Sequence, residues 1–270
     1  VAVPLIQVQS VRKIYPSRSG EVFALEDVSF RVDRGEFVSL VGPSGCGKST
    51  LLLLISGILP PSTGEIFIEG ERLKAPYTDL GIVFQRDILL DWRTVLENVM
   101  LPLQIKRMKS KEHLPKARGL LRRVGLAGFE DKYPRELSGG MRQRVAICRA
   151  LIKSPDLLLM DEPFGALDAL TREQMNLDLQ RMVLGEKYTV VFITHSIDEA
   201  VFLSDRVLVM SARPGRIVED MRIDLPRPRR FAPGEMDEFL HYVSRIRKIF
   251  EEQGVLLQED VDDVEIQPAT

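Results

Sequence analysis

Apolar positions along the chain fall into short β-like runs separated by stretches with helical spacing. The runs are LIQVQSV (5–11), FVSLVG (37–42), EIFIEG (65–70), LGIVFQ (80–85), DLLLMDE (156–162), YTVVFITH (188–195) and RVLVMS (206–211). FVSLVG, DLLLMDE and YTVVFITH are almost wholly apolar at their centres, as strands covered on both faces must be. The early runs alternate apolar with polar positions and predict an antiparallel flank with one wet face. From about 94 to 153 the period changes to helical, through TVLENVMLPLQIKRM, KARGLLRRVGL and GGMRQRVAICRALIKS. The pattern predicts an α/β fold: a mostly parallel sheet, an antiparallel β flank, and a helical subdomain inserted at about 86–154.

Beyond LPRPRR (225–230), Met236, Phe239, Val243, Ile246 and Phe250 recur at helical spacing, so one face of that helix needs a partner surface. The closing EDVDDVEIQPAT is acidic and reads as a solvated tail. The expected organisation is a main domain over 1–225 and a C-terminal extension over 226–270. Apolar runs stop short of the ~18 residues a spanning helix needs. The longest, LLLLISGIL (51–59), ends at Pro60 and Pro61. The N-terminal alternation is strand-like and lacks a signal-peptide pattern, which predicts a cytoplasmic protein.

Composition changes this picture little. Of 270 residues, 44% are hydrophobic and 28% charged, and 37 basic against 39 acidic side chains give a net charge of −2. With no basic field, nucleic acid is not an expected partner. Cys46 and Cys148 lack metal-type spacing and read as small packing residues.

Candidate chemistry begins at GPSGCGKST (42–50), which follows a predicted strand and opens a predicted helix. In such a loop, made of Gly42, Pro43, Ser44, Gly45, Cys46 and Gly47, the glycines let successive backbone N–H groups curl around phosphate oxygens. Lys48 can reach the β and γ phosphates, the Ser49 hydroxyl can ligate Mg²⁺, and Thr50 can add a contact to the α phosphate. LLLMDEP places two carboxylates at the end of a buried strand, where α/β sheets bind ligands. Asp161 is placed to hold Mg²⁺ and Glu162 to accept a proton from an attacking water.

His195 and Gln85 end two further runs in the same manner. On residue type alone a strand-end histidine such as His195 is more often hydrogen-bonded structure than catalysis, and its place beside the same crevice makes a γ-phosphate contact an equal reading. Trp92, the only tryptophan, follows Gln85 in RDILLDWRTV, as either a satisfied loop aromatic or part of an exposed docking edge. ELSGGMRQRVAICRA (136–150) has a serine and two glycines ahead of an amphipathic run, without the lysine and preceding buried strand of a second phosphate loop.

In this order the motifs resemble those of the ATP-binding-cassette ATPases, over nearly the whole length to about residue 225. The resemblance rests on GPSGCGKST, Gln85, LSGGM (137–141), LLLMDEP, ALD (166–168) and His195. It implies ATP and Mg²⁺ as ligands, Tyr15 as the aromatic that stacks on adenine, and Gln85 as a contact to Mg²⁺ or water. It also implies His195 at the γ phosphate and Asp168 at a dimer interface. Ser138, Gly139 and Gly140 would then meet the ATP held by a second copy of the chain, in a head-to-tail sandwich with two composite sites.

FQRDILLDWRTVLENVMLPL and MSARPGRIVEDMRIDLPRPRR are similar to segments of the ATPase subunits that serve bacterial importers of nitrate, sulfonates and taurine. That group usually has proline where Asp91 stands, and the broader family usually has glutamine where Met141 stands. The resemblance implies transmembrane permease subunits as partners, an extracytoplasmic substrate-binding protein as an indirect one, and a place on the cytoplasmic face of the bacterial inner membrane. Two other functions fit the same loop: a soluble cassette ATPase acting on nucleic acid, and a nucleotide switch with little turnover. The first lacks the expected basic patches and coiled-coil insertions, and the second leaves Asp161 and Glu162 idle.

Overall fold

A computed structural model describes residues 3–18, 20–184, 188–230 and 236–255. The acidic tail lies outside them. β1 (Ile6–Ser17), β2 (Gly20–Val32), β4 (Thr63–Ile68) and β5 (Glu71–Arg72) form an antiparallel sheet in the order β2-β1-β4-β5. β3 (Phe37–Val41), β6 (Leu80–Val83), β7 (Leu157–Asp161), β8 (Thr189–Thr194), β9 (Arg206–Met210) and β10 (Ile217–Arg222) form the second sheet. Its order is β10-β9-β3-β8-β7-β6, parallel except for the edge strand β10.

The apolar centres of β3, β7 and β8 are buried on both faces. Val38, Leu40, Leu157, Leu159, Val191 and Ile193 point into one cluster, shared with the antiparallel sheet and α1 (Lys48–Ile55). Their neighbours Phe37, Leu158, Met160, Val190 and Phe192 point into another. This period of two is what a doubly covered strand requires, and each fully buried Leu, Ile or Phe contributes roughly 1.5–3 kcal/mol.

The second cluster is completed by α2 (Val95–Ile105), α3 (Ser110–Arg123) and α4 (Gly139–Leu151), which follow one another between β6 and β7, and by α5 (Ala169–Leu184). α2 starts on a capping box: Thr94 accepts from the Glu97 N–H, and the Glu97 carboxylate accepts from the Thr94 N–H. α6 (Ile197–Leu203) and α7 (Met236–Glu252) cover the remaining corner. The apolar face expected on the last helix packs there: Val243, Ile246 and Phe250 join Val41, Val201, Val207, Val209 and Met221.

Candidate functional site

Because β3, β8, β7 and β6 are parallel neighbours, the segments leaving their C-terminal ends emerge along one edge of the sheet. Val41 is level with Thr194, Ile193 with Asp161, and Val83 with Met160. The phosphate loop, His195, Glu162 and Gln85 therefore begin side by side, although they are scattered from residue 42 to 195.

Within the loop, Gly45 and Gly47 have φ of 75° and 105°, which favours glycine. A Cβ at Gly47 would lie 2.7 Å from the Leu25 side chain and 2.8 Å from the Ala24 carbonyl. Lys48, only 5% exposed, donates from Nζ to the carbonyls of Gly42 (2.8 Å) and Pro43 (3.0 Å), so its ammonium is held inside the loop. The Cys46 side chain is buried in the core and its thiol is pushed up by burial, leaving the backbone as its contribution to the loop surface. Cys148 is also a buried free thiol, pushed up to about 12 by burial.

The Ser49 hydroxyl donates to Asp161 Oδ1 at 3.0 Å. Burial holds the Asp161 carboxyl above its usual range, with the serine hydrogen bond opposing. Glu162 is the hub of the next layer: its Oε2 lies 3.3 Å from His195 Nδ1 and accepts from Gln85 Nε2 at 3.3 Å. Tyr15 reaches the same region, its hydroxyl 3.4 Å from Thr50 Oγ1 and its ring under the Lys13 ammonium at 5.3 Å. Tyr15, Ser44, Lys48, Ser49, Thr50, Gln85 and Glu162 line a cavity of ≈ 330 Å³.

Two other expected site segments lie apart from that cavity's lining. Ser138 caps α4, its hydroxyl accepting from the Met141 N–H at 3.3 Å, with Gly139 and Gly140 in the first turn. Asp168 caps α5: its carboxylate accepts from the Thr171 N–H (3.0 Å) and hydroxyl (2.7 Å), and these bonds lower its pKa.

The sequence profile of the ABC transporter family matches residues 25–165. The chain belongs to the ABC transporter family. It is an ATP-binding subunit and an ATPase, with relatives along most of its length. An uncharacterized ABC transporter ATP-binding protein of Methanocaldococcus jannaschii is 46% identical over 248 residues, 92% of each chain. The taurine import ATP-binding protein TauB of Rhizobium johnstonii is 51% identical over 229 residues, 84% of this chain and 87% of that one. Among solved structures, the dimeric post-hydrolysis state of an ATP-binding cassette bound to ADP and Pi aligns with a TM-score of 0.71. It is 33% identical, covering 81% of this chain and 98% of its own.

A second concave surface of this ABC ATPase, ≈ 460 Å³, was only half legible in the sequence. Ile82, Phe84, Ile88, Leu90, Leu101 and Ile105 line it, with Lys106, Arg149 and Lys153 among them. The loop between β6 and α2 that forms one wall carries Trp92, 74% exposed, and Ile88, 53% exposed. Of the two readings left open for Trp92, exposure favours the docking edge. Residues passed over in the sequence hold this loop. The fully buried Asn98 accepts from the Leu90 N–H and donates to the carbonyls of Leu90, Arg93 and Thr94. From α4, Arg149 donates to the carbonyls of Asp87 and Ile88, and Arg142 bonds the Asp87 carboxylate at 2.9 Å. The only sequence sign of Arg142 and Arg149 was their place in the helix behind LSGGM.

Proposed function

We propose that this ATPase is the ATP-hydrolysing subunit of an importer for a small organic anion or oxyanion, such as a sulfonate, taurine or nitrate. It works as a head-to-tail dimer on transmembrane permease subunits, at the cytoplasmic face of the bacterial inner membrane. An extracytoplasmic binding protein delivers the substrate to the permease. The organising unit is the 1–225 domain with its helical insertion of about 86–154, and 226–270 is a C-terminal extension whose helix α7 packs on that domain. Supporting the reading are the relative named for taurine import and the fact that no helix among the described residues is long and apolar enough to cross a membrane. The observation that carries it is the apolar surface beside Gln85, tied through Arg142 and Arg149 to the helix behind Ser138. A permease segment seated there would sense both the γ-phosphate region and the signature helix.

In this mechanism the backbone N–H groups of the loop and Lys48 neutralise phosphate charge, and Tyr15 stacks on adenine. Glu162 takes a proton from the attacking water as its oxygen adds to the γ phosphorus and the bond to ADP breaks. His195 and Gln85, both within hydrogen-bond reach of Glu162 Oε2, hold the carboxylate and the water between them. The Ser49 hydroxyl and Asp161 carboxylate, with Gln85, form a hard oxygen donor set that suits Mg²⁺. Bound there, the ion would neutralise developing phosphate charge. Ser138, Gly139, Gly140 and Asp168 act on the nucleotide of the second copy.

The reading is tested by passing detergent-solubilised membranes of the native host over the immobilised ATPase. Integral membrane subunits should be retained, and Trp92→Asp and Ile88→Asp should reduce their capture several-fold while leaving ATP binding intact. Recovery of nucleic acid without membrane protein would sink the transport reading.

A further inference from the structure

We propose that Arg213 is a nucleotide-binding residue, a guanidinium presented by the β9–β10 turn to the phosphates that ATP and ADP share. The proposal rests on the cavity at the phosphate loop being the nucleotide site. Arg213 is the one residue in that cavity's wall contributed by the β9–β10 turn, and no role was assigned to it from the sequence.

The turn is bound to the phosphate loop and its support by backbone contacts. The Gly215 N–H donates to the Ala24 carbonyl at 3.0 Å, and the Glu26 N–H donates to the Gly215 carbonyl at 3.0 Å. Ser211 closes the turn on itself, its N–H donating to the Arg216 carbonyl (3.0 Å) and its hydroxyl accepting from the Arg216 N–H (3.1 Å). A Cβ at Gly215 would lie 2.0 Å from the Cys46 carbonyl oxygen, so the turn backbone rests directly on the phosphate loop and only glycine fits. The position from which Arg213 starts is thus fixed relative to the loop.

The two arginines of this turn differ in what they do. Arg216 is engaged by the Glu26 carboxylate at 2.6 Å. Arg213 makes no hydrogen bond or ion pair among the described residues. The planar fork of an arginine matches phosphate oxygens and keeps its charge at any physiological pH.

The side of approach identifies which phosphates. β9 flanks β3 on one side, while β8 and β7, which deliver His195 and Glu162, flank it on the other. Arg213 therefore comes to the phosphate loop from the side opposite the residues proposed to act on the γ phosphate, beside Ala24 and Gly47. Its contribution falls on affinity for ATP and ADP alike, not on the attacking water.

Isothermal titration of the full chain with ATP and with ADP tests this. Arg213→Ala should raise both dissociation constants about tenfold, the loss of one charge-assisted hydrogen bond. Arg213→Lys, which keeps the charge and loses the fork, should fall between. In steady-state hydrolysis the Arg213→Ala loss should fall on KM rather than kcat. Wild-type affinity for both nucleotides in Arg213→Ala, alongside lost binding in a Lys48→Ala control, overturns the role of Arg213 and leaves the cavity reading standing. Wild-type binding in Lys48→Ala overturns the cavity reading itself.

Discussion

Glu162 carries its side chain on a backbone with φ of 45°, a left-handed conformation that costs a non-glycine residue about 1 kcal/mol or more. The surroundings hold it there: its N–H donates to the Ile193 carbonyl at 2.8 Å and its carbonyl accepts from the Gly165 N–H at 3.2 Å. The strain turns the carboxylate out of the strand direction that Asp161 still follows, toward His195 and Gln85. Two acids at a strand end were legible as chemistry in LLLMDEP. Which of them faces His195 was not, because that depends on a φ value no residue pattern encodes. If Glu162 is the base, Glu162→Gln keeps nearly the same shape and loses the proton acceptor. That variant should bind ATP with near-native affinity and lose at least about 100-fold in turnover, the lower range for removing a positioned base. Phosphate release under single-turnover conditions is the measurement, and wild-type turnover would remove Glu162 from the mechanism.

At the scale of elements, the runs visible in the sequence were those whose burial is simple. β3, β7 and β8 declare themselves because both faces are covered. β2 and β10 were absent from the sequence-level strand runs for the opposite reason. β2 carries Glu21, Glu26, Asp27 and Arg31, and β10 places Glu219, Asp220 and Arg222 on an edge strand. Each is ordered by its neighbour rather than by its own pattern. The segment LPRPRR was read only as a boundary, yet it is a fastening. Arg229 is 3% exposed and donates to the carbonyls of Val201, Phe202 and Ser204 at the end of α6, and of Ile223 and Leu225 after β10. Its backbone N–H and carbonyl are both bonded to the Gln180 amide on α5. Burial lowers the guanidinium pKa to about 10, still charged at neutral pH, so these carbonyls receive charge-assisted bonds. Arg229→Ala would leave them unpaired in the interior, and should lower unfolding free energy by about 3 kcal/mol. Thermal unfolding should show the midpoint falling by roughly 6–12 °C. A midpoint within about 2 °C of wild type would mean that water replaces the guanidinium at this junction.

For the whole molecule, the arrangement leaves one of its own motifs unused. The phosphate loop, Asp161, Glu162, His195 and Gln85 gather at one sheet edge, whereas Ser138 and Asp168 each cap a helix outside that cavity's lining. The helix N-terminus behind Ser138 offers unpaired backbone N–H groups suited to a phosphate from another chain. LSGGM was legible as a motif without a lysine. Its proposed place on the nucleotide of a second copy came from resemblance, because a sequence pattern does not say on which side of a helix the phosphate arrives. The proposed sandwich has a consequence that a single-chain site does not share. Lys48→Ala damages the phosphate loop and Ser138→Arg blocks the signature helix, so either homodimer has two spoiled sites. In a heterodimer of the two variants, both lesions fall in one composite site and the other is intact. Random pairing makes half of the dimers mixed, so an equal mixture should recover about a quarter of wild-type turnover while the parent variants remain near zero. ATP hydrolysis by the mixture, against each variant alone at the same total concentration, is the comparison. Turnover no higher than either parent would count against sites shared between copies.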